Sequence, residues 1–140
     1  MNVLIIDGQG GQLGGQIIKL LKTNFTTLDI VAVGTNATAT ATMLKAGARQ
    51  AATGENSVIV ACRKADVIIG PVGIVVADAM LGEVTPQMAI AVGQADAVRL
   101  LLPVNKCDNI IVGIPDLSVT DVLQDMLVKV KAVIAKEKVC

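Results

Sequence analysis

The sequence predicts a three-layer, doubly wound α/β fold with helices on both faces of a mostly parallel sheet of about six strands. Short, β-branched apolar runs alternate with segments of helical periodicity along the whole chain. A glycine-rich turn joins the first such run to the first helical segment. No repeat, low-complexity tract or linker interrupts the 140 residues. We therefore expect a single Rossmann-like domain over residues 1–140.

The first half of the chain alternates regularly between the two kinds of segment. Strands are expected where a short apolar run is bounded by turn residues, at 3–6, 28–33 and 49–52. Helices are expected where apolar residues recur at helical spacing or where helix-ending signals stand, at 12–22, 37–46 and 56–65. Gly47 is a typical helix stop, and Asn56 is expected to cap the third helix.

The second half continues the alternation. Further strands are expected at 66–70, 97–102 and 109–114, and a helix is expected at 74–81. Thr85 and Pro86 indicate a helix start, because threonine caps a helix and proline suits its first position. Ser118 opens the C-terminal helix with a pattern similar to a capping box.

Composition excludes several chemistries. The chain has no His, Trp or Tyr, and Phe25 is its one aromatic residue. Without His there is no Ser-His-Asp or Cys-His nucleophile and no imidazole metal ligand. The 12 basic and 12 acidic side chains cancel, and aromatic stacking platforms are missing, so we expect no nucleic-acid partner.

The chain is apolar for a monomer that dissolves in water, with 53% hydrophobic and 17% charged residues. Its longest apolar stretch, 67–77, is about half of the roughly 20 residues of a membrane span, so we expect no membrane partner. We expect instead a homo-oligomer, a dimer or tetramer that uses the helices after residue 73. Cys62, Cys107 and Cys140 form no C-x-x-C pair, and the sequence starts directly on an expected strand, so we expect no leader and a protein of the reducing cytoplasm.

The strongest functional signal is the glycine-rich turn between the first strand and the first helix. Its G-x-x-G-x-x-G spacing places Gly8 at a tight turn, Gly11 where backbone approaches a phosphate, and Gly14 where helix packs on strand. Leu13 occupies the third glycine position of the stricter G-x-G-x-x-G form. The helix N-terminus offers free N–H groups to an anion. We therefore expect a phosphate or nucleotide to be bound by Gly8, Gln9, Gly10, Gly11, Gln12, Leu13 and Gly14.

Other polar and glycine clusters follow the next strands at their carboxyl ends, where ligands bind in open parallel sheets. We expect these clusters to complete the cofactor site; they are Thr35 and Asn36, then Thr53, Gly54, Glu55 and Asn56, then Gly70, Pro71 and Gly73. The second strand ends without the acidic residue that commonly binds ribose hydroxyls. NAD(P) or another adenine nucleotide is favoured, and the choice among them stays open.

Catalytic residues are not identified by the sequence. Asp7, Glu55 and Glu83 are candidates, although turn hydrogen bonds or helix dipoles account for each of them. A phospho-receiver interpretation has Lys106 but lacks the acceptor aspartate. Three hypotheses remain open: a nucleotide-binding enzyme, a non-catalytic sensor with the same pocket, and a structural oligomer whose glycines only turn corners.

Two resemblances add to this interpretation. The glycine spacing and residues 66–73 resemble extended short-chain dehydrogenases, but Asp7 replaces a threonine and the catalytic Y-x-x-x-K cannot exist without tyrosine. Nearly the whole chain resembles a small bacterial family, domain of unknown function 3842. That resemblance implies a fold but no activity, and it is carried by I-D-G-Q-G-G at 6–11, G-T-N at 34–36, M-L-K-A-G-A at 43–48, A-T-G-E-N at 52–56, I-I-G-P-V-G at 68–73 and M-L-G-E-V-T-P at 80–86.

Overall fold

A computed structural model describes residues 1–104 and 108–135, and its architecture is the predicted three-layer α/β fold. The parallel strands are β1 (Asn2–Asp7), β2 (Asp29–Gly34), β3 (Gln50–Thr53), β4 (Val67–Pro71) and β5 (Val98–Leu102). The helices are α1 (Gln12–Asn24), α2 (Ala37–Ala46), α3 (Glu55–Cys62), α4 (Pro86–Gln94) and α5 (Val119–Ile134), with a short 3-10 helix at Val72–Val75. Lys106, Cys107 and Cys140, which the sequence analysis considered, lie outside the described residues.

The strand order β3-β2-β1-β4-β5 determines where a ligand can approach. From β1 the chain moves outward through β2 to β3, then returns across the sheet to place β4 on the other side of β1. The connections that follow β1 and β4 therefore leave the sheet in opposite directions. In open α/β sheets, ligands bind at the carboxyl ends of two such strands, and we call this place between β1 and β4 the crevice.

Two hydrophobic clusters hold the helical layers against the sheet. Val3 and Ile5 of β1 face α1, α2 and α5, whereas Leu4 and Ile6 face α3 and α4. All four side chains are buried. A central strand that is covered on both faces has a continuous apolar sequence, and this pattern predicted β1.

Local helix signals are mostly confirmed. The side chains of Asn36, Thr85 and Ser118 each accept a hydrogen bond from a backbone N–H in the first turn of the following helix. The predicted cap of α3 is wrong, because the helix begins at Glu55 and its cap residue is Gly54. Asn56 therefore lies inside the first turn, where its side chain caps nothing.

The prediction of a sixth strand at 109–114 is wrong, and the sheet has five strands in the described part of the chain. A β-branched run becomes a strand only where it pairs with a neighbour. Asp108 and Gly113 have positive φ angles of 64° and 86°, which break an extended backbone at both ends of this run. Ile110 and Val112 are consequently exposed at 86% and 92%.

The helix predicted at 74–81 is also wrong. After the 3-10 helix, Asp78, Met80 and Leu81 adopt the left-handed conformation, with φ between 57° and 65°, which a right-handed helix cannot contain. Ile74 and Met80 are nevertheless buried. The apolar pattern thus arose from a loop that packs on the core between β4 and α4.

Candidate functional site

The loop from Gly8 to Gly11 connects β1 to α1 at the crevice between β1 and β4. Its turn is closed by a hydrogen bond of 2.9 Å from the N–H of Gly11 to the carbonyl of Gly8. Gly11 is the cap residue of α1 and has a φ of 74°, a conformation in which glycine avoids the steric cost of a Cβ. No side chain caps this helix by hydrogen bonding at that position.

The loop glycines serve different purposes. A Cβ on Gly11 would stand 2.7 Å from the Cα of Ala39, in the backbone of α2. A Cβ on Gly14 would meet Met43 of α2 and, at 3.0 Å, the Cβ of Asp7. Gly10 has only the side chain of Gln12 near it, at 4.0 Å. Gly11 and Gly14 therefore allow close helix packing, and the open side of the loop lies at Gly10.

Some of the loop N–H groups are already bonded within the protein. The Asp7 carboxylate accepts from Gly8 at 2.8 Å and from Gly14 at 2.7 Å. Three N–H groups, those of Gly10, Gln12 and Leu13, donate to no acceptor among the described residues. Two of them begin α1, so they point along the positive end of the helix dipole. These are the groups that an incoming anion could use.

Asp7 is buried beneath this loop, with 4% of its surface exposed. Burial raises the pKa of its carboxyl, the two backbone N–H groups oppose that effect, and the negative charge of Glu83 adds to it. Asp7 was a candidate catalytic residue in the sequence. Its two hydrogen bonds show that it fixes the turn and the start of α1.

Glu83 is the residue whose place the sequence did not indicate. One oxygen, Oε1, accepts from the N–H of Gln9 at 2.9 Å, the hydroxyl of Thr35 at 2.7 Å and the side-chain amide of Asn36 at 2.7 Å. Partial burial alone would raise the pKa of the Glu83 carboxyl, but these hydrogen bonds outweigh it and hold that pKa below its ordinary value. Glu83 thus joins the glycine loop to the end of β2.

Asn36 completes this cluster from the start of α2. Its side-chain NH₂ donates both to Glu83 and, at 2.9 Å, to the carbonyl of Gln9. Its Oδ1 accepts from the N–H of Ala39 at 2.9 Å. The predicted site residues Gln9, Thr35 and Asn36 therefore do lie together, with Glu83 between them.

The predicted cluster after β3 forms its hydrogen bonds with α2 and with the start of α4. The hydroxyl of Thr53 is 2.7 Å from that of Thr40, and Glu55 accepts from the hydroxyl of Thr85 at 2.6 Å. Gly54 has a φ of 99° and Asn56 is exposed. No hydrogen bond of the described residues links this cluster to the glycine loop.

In the predicted cluster after β4, the first residue, Gly70, has a structural role. A Cβ on Gly70 would collide with the backbone carbonyl of Ile6, so this glycine allows β4 to approach β1 closely. Pro71 is the last residue of β4 and pairs with Leu102 of β5, and Gly73 lies buried in the 3-10 helix. All three lie at the same crevice as the glycine loop.

A concavity of about 740 Å³ lies on the sheet face beside α3. Leu4, Val31 and Val33 form its apolar floor, and Asp29 and Arg49 form an ion pair at its rim. None of the glycine-loop residues lines it. The sequence contains no signal for this groove. The helix expected at 56–65 is α3, which ends at Cys62.

The strand order and the glycine loop define a Rossmann-like α/β protein whose strand order reverses at β1 and β4. Within that class, the chain belongs to the family described as Domain of unknown function (DUF3842), whose model matches residues 2–135. No curated protein and no solved structure matches the chain. In the part of the chain that the structure describes, no helix is long and apolar enough to cross a membrane.

Proposed function

We propose that the protein binds a nucleotide or dinucleotide in the crevice at the carboxyl ends of β1 and β4. The observation that carries this proposal is the group of three N–H donors, on Gly10, Gln12 and Leu13, without an acceptor among the described residues. A phosphate oxygen is the ligand atom that a helix N-terminus favours most. The phosphate is placed at the open side of the loop, beside Gly10.

The N–H groups at this corner fall into two sets. Asp7 accepts from those of Gly8 and Gly14, which are thereby closed on the protein itself. The donors at Gly10, Gln12 and Leu13 are left to solvent or to a ligand. No Lys or Arg of the described residues bonds to the loop, so backbone dipoles rather than a cation hold the phosphate, and we expect modest affinity.

An adenine nucleotide, NAD(P) or a relative, remains the favoured ligand. Binding is tested by thermal shift of the purified protein with NAD⁺, NADP⁺, AMP, ADP, ATP, coenzyme A and flavins. We expect at least one adenine nucleotide to raise Tm. Binding without turnover of the ligand would favour a sensor over an enzyme.

Two glycine variants locate the site. Gly10→Val places a branched side chain in the open space before the donors, so we expect the ligand-induced shift to disappear. Gly93→Val is the matched control, because Gly93 also has open space around it and lies near the end of α4, at the opposite edge of the sheet. Normal binding by Gly10→Val, or no Tm increase with any nucleotide, would contradict the proposal.

We also propose that the protein self-associates and that it lies in a reducing compartment. The exposed Leu44 and Val60 of the groove beside α3 and the exposed Ile110 and Val112 support a dimer or tetramer. Cys62 is buried, and burial raises the pKa of its thiol to about 11, so it is unreactive at neutral pH. This thiol fits the cytoplasm, where we place the protein.

A further inference from the structure

We propose that Glu83 recognises the sugar of the bound nucleotide, with its Oε2 atom accepting hydrogen bonds from ribose hydroxyls. The site then takes a nucleotide with an unmodified ribose and rejects one that carries a 2′-phosphate. This inference rests on the proposed nucleotide-binding function and adds the specificity that the glycine loop alone does not provide.

The first argument is position. In a sheet of this topology, a nucleotide whose phosphate lies at the start of α1 places its ribose near the end of the second strand, where an acidic residue commonly binds the hydroxyls. Here β2 is followed by Thr35 and Asn36, neither of which is acidic. Glu83, which is 48 residues after Thr35, brings a carboxylate to that place from the connection between β4 and α4.

The second argument is the unequal use of the two carboxylate oxygens. Oε1 accepts from Gln9, Thr35 and Asn36, which fixes the side chain. Oε2 has no partner among the described residues and is not buried. An ionised carboxylate oxygen accepts about two hydrogen bonds, so Oε2 is free to receive both hydroxyls of a vicinal diol.

The third argument is that the backbone which carries Glu83 is closed on itself. Asp78 donates its N–H to the carbonyl of Val84 at 2.7 Å, and Val84 donates its N–H to the carbonyl of Ala79 at 3.1 Å. Met80 is buried under this loop with 2% of its surface exposed. The carboxylate is therefore held in place before any ligand arrives, which lowers the entropic cost of binding.

Charge supplies the discrimination. A carboxylate with a pKa below its ordinary value is ionised at neutral pH and acts only as an acceptor. Ribose hydroxyls donate to it, whereas a 2′-phosphate presents acceptor oxygens of the same charge. Neither Lys nor Arg forms an ion pair with Glu83 in the described part of the chain, so nothing there compensates a second phosphate.

The test is calorimetric titration of the wild-type protein with two ligand pairs that differ only at the 2′ carbon. We expect NADP⁺ to bind on the order of 100-fold more weakly than NAD⁺, and 2′-deoxy-ADP about 10-fold more weakly than ADP, as expected for hydrogen bonds to a charged acceptor. Equal affinities within each pair would overturn the inference and leave the proposed function standing. Absence of binding by all four ligands would overturn the inference, and absence of binding by every nucleotide of the thermal-shift screen would overturn both.

Two variants assign the effect to the carboxylate. Glu83→Gln keeps the shape but replaces one acceptor oxygen by an NH₂ donor, so we expect the preference for NAD⁺ over NADP⁺ to fall to within a few-fold. Asp78→Asn removes a charge from the same loop at an exposed side chain and is expected to keep the full preference. A Glu83→Gln protein that retains the full preference would show that Glu83 only fixes the loop. If that variant does not fold, the wild-type ligand pairs alone decide.

Discussion

Gly10 and Gly11 are adjacent, and we expect their replacement by alanine to have opposite effects on the free energy of unfolding. At Gly11 the backbone has a φ of 74°, and a left-handed conformation costs an L-residue about 1–2 kcal/mol. A Cβ there would also stand 2.7 Å from the Cα of Ala39, and relieving such a backbone contact costs roughly 1–3 kcal/mol. Gly11→Ala should therefore lower the free energy of unfolding by about 2–5 kcal/mol.

Gly10→Ala is the matched control for this prediction. Its backbone does not need a positive φ, and its Cβ would have no neighbour closer than 4.0 Å. Alanine at such a position stabilises by roughly 0–1 kcal/mol, because it restricts the unfolded chain. Urea denaturation followed by circular dichroism measures both variants, and m-values that match wild type show that only stability has changed.

The outcome distinguishes two explanations of the glycine spacing. If Gly11 is glycine because α1 and α2 approach closely, Gly11→Ala loses stability before any ligand is considered. If Gly11 is glycine only to admit a phosphate, Gly11→Ala should lose no more than the roughly 1–2 kcal/mol of its left-handed backbone. That second result would refute the packing argument. For the same reason Gly10→Val tests binding more directly than Gly11→Val.

Three further predictions follow from the charges and surfaces of the molecule. Hydrogen bonds to Glu83 hold its pKa below the ordinary 4.5, so their stabilisation is complete above pH 4.5 and is lost as pH falls through the native pKa. The free energies of unfolding of wild type and Glu83→Gln, measured in urea, should therefore differ at pH 7 and converge as the pH falls below 4.5. The pKa of Asp7 is raised, and the negative charge of a nearby phosphate should raise it further. NAD⁺ binding should therefore take up protons, and its affinity should increase as the pH falls. Calorimetry in buffers of different ionisation enthalpy measures this uptake, and a value of zero would contradict the prediction. Light scattering at micromolar protein should give a dimer or tetramer, and the mass of one chain would contradict self-association.

Local signals in the sequence predicted most of the fold. The caps at Asn36, Thr85 and Ser118 and the stop at Gly47 depend on residues within one helical turn, so a single sequence contains them. The strand predicted at 109–114 is wrong because its composition suits a strand, whereas positive φ angles at Asp108 and Gly113 interrupt the extended backbone. Pairing with a neighbouring strand is not visible in such a run.

The candidate site was predicted less completely, since its key contact is not local. Glu83 was assigned to the dipole of the helix that follows it, whereas its partner Thr35 is 48 residues away. Thr85 and Pro86 did mark the start of α4, but they did not indicate the contact between Glu83 and the end of β2. The left-handed residues that turn Glu83 toward β2 have no sequence signal other than Gly82, whose φ is 88°.

The central claim, that a nucleotide phosphate is bound by the open N–H groups of the glycine loop, is tested most directly by amide chemical shifts. The ¹⁵N-labelled protein is titrated with NAD⁺ and followed by two-dimensional NMR. We predict saturable shifts of the backbone amides of Gly10, Gln12 and Leu13, together with the side-chain amide of Asn36. An unchanged loop, or shifts confined to Leu4, Val31 and Val33 in the groove beside α3, would contradict the account.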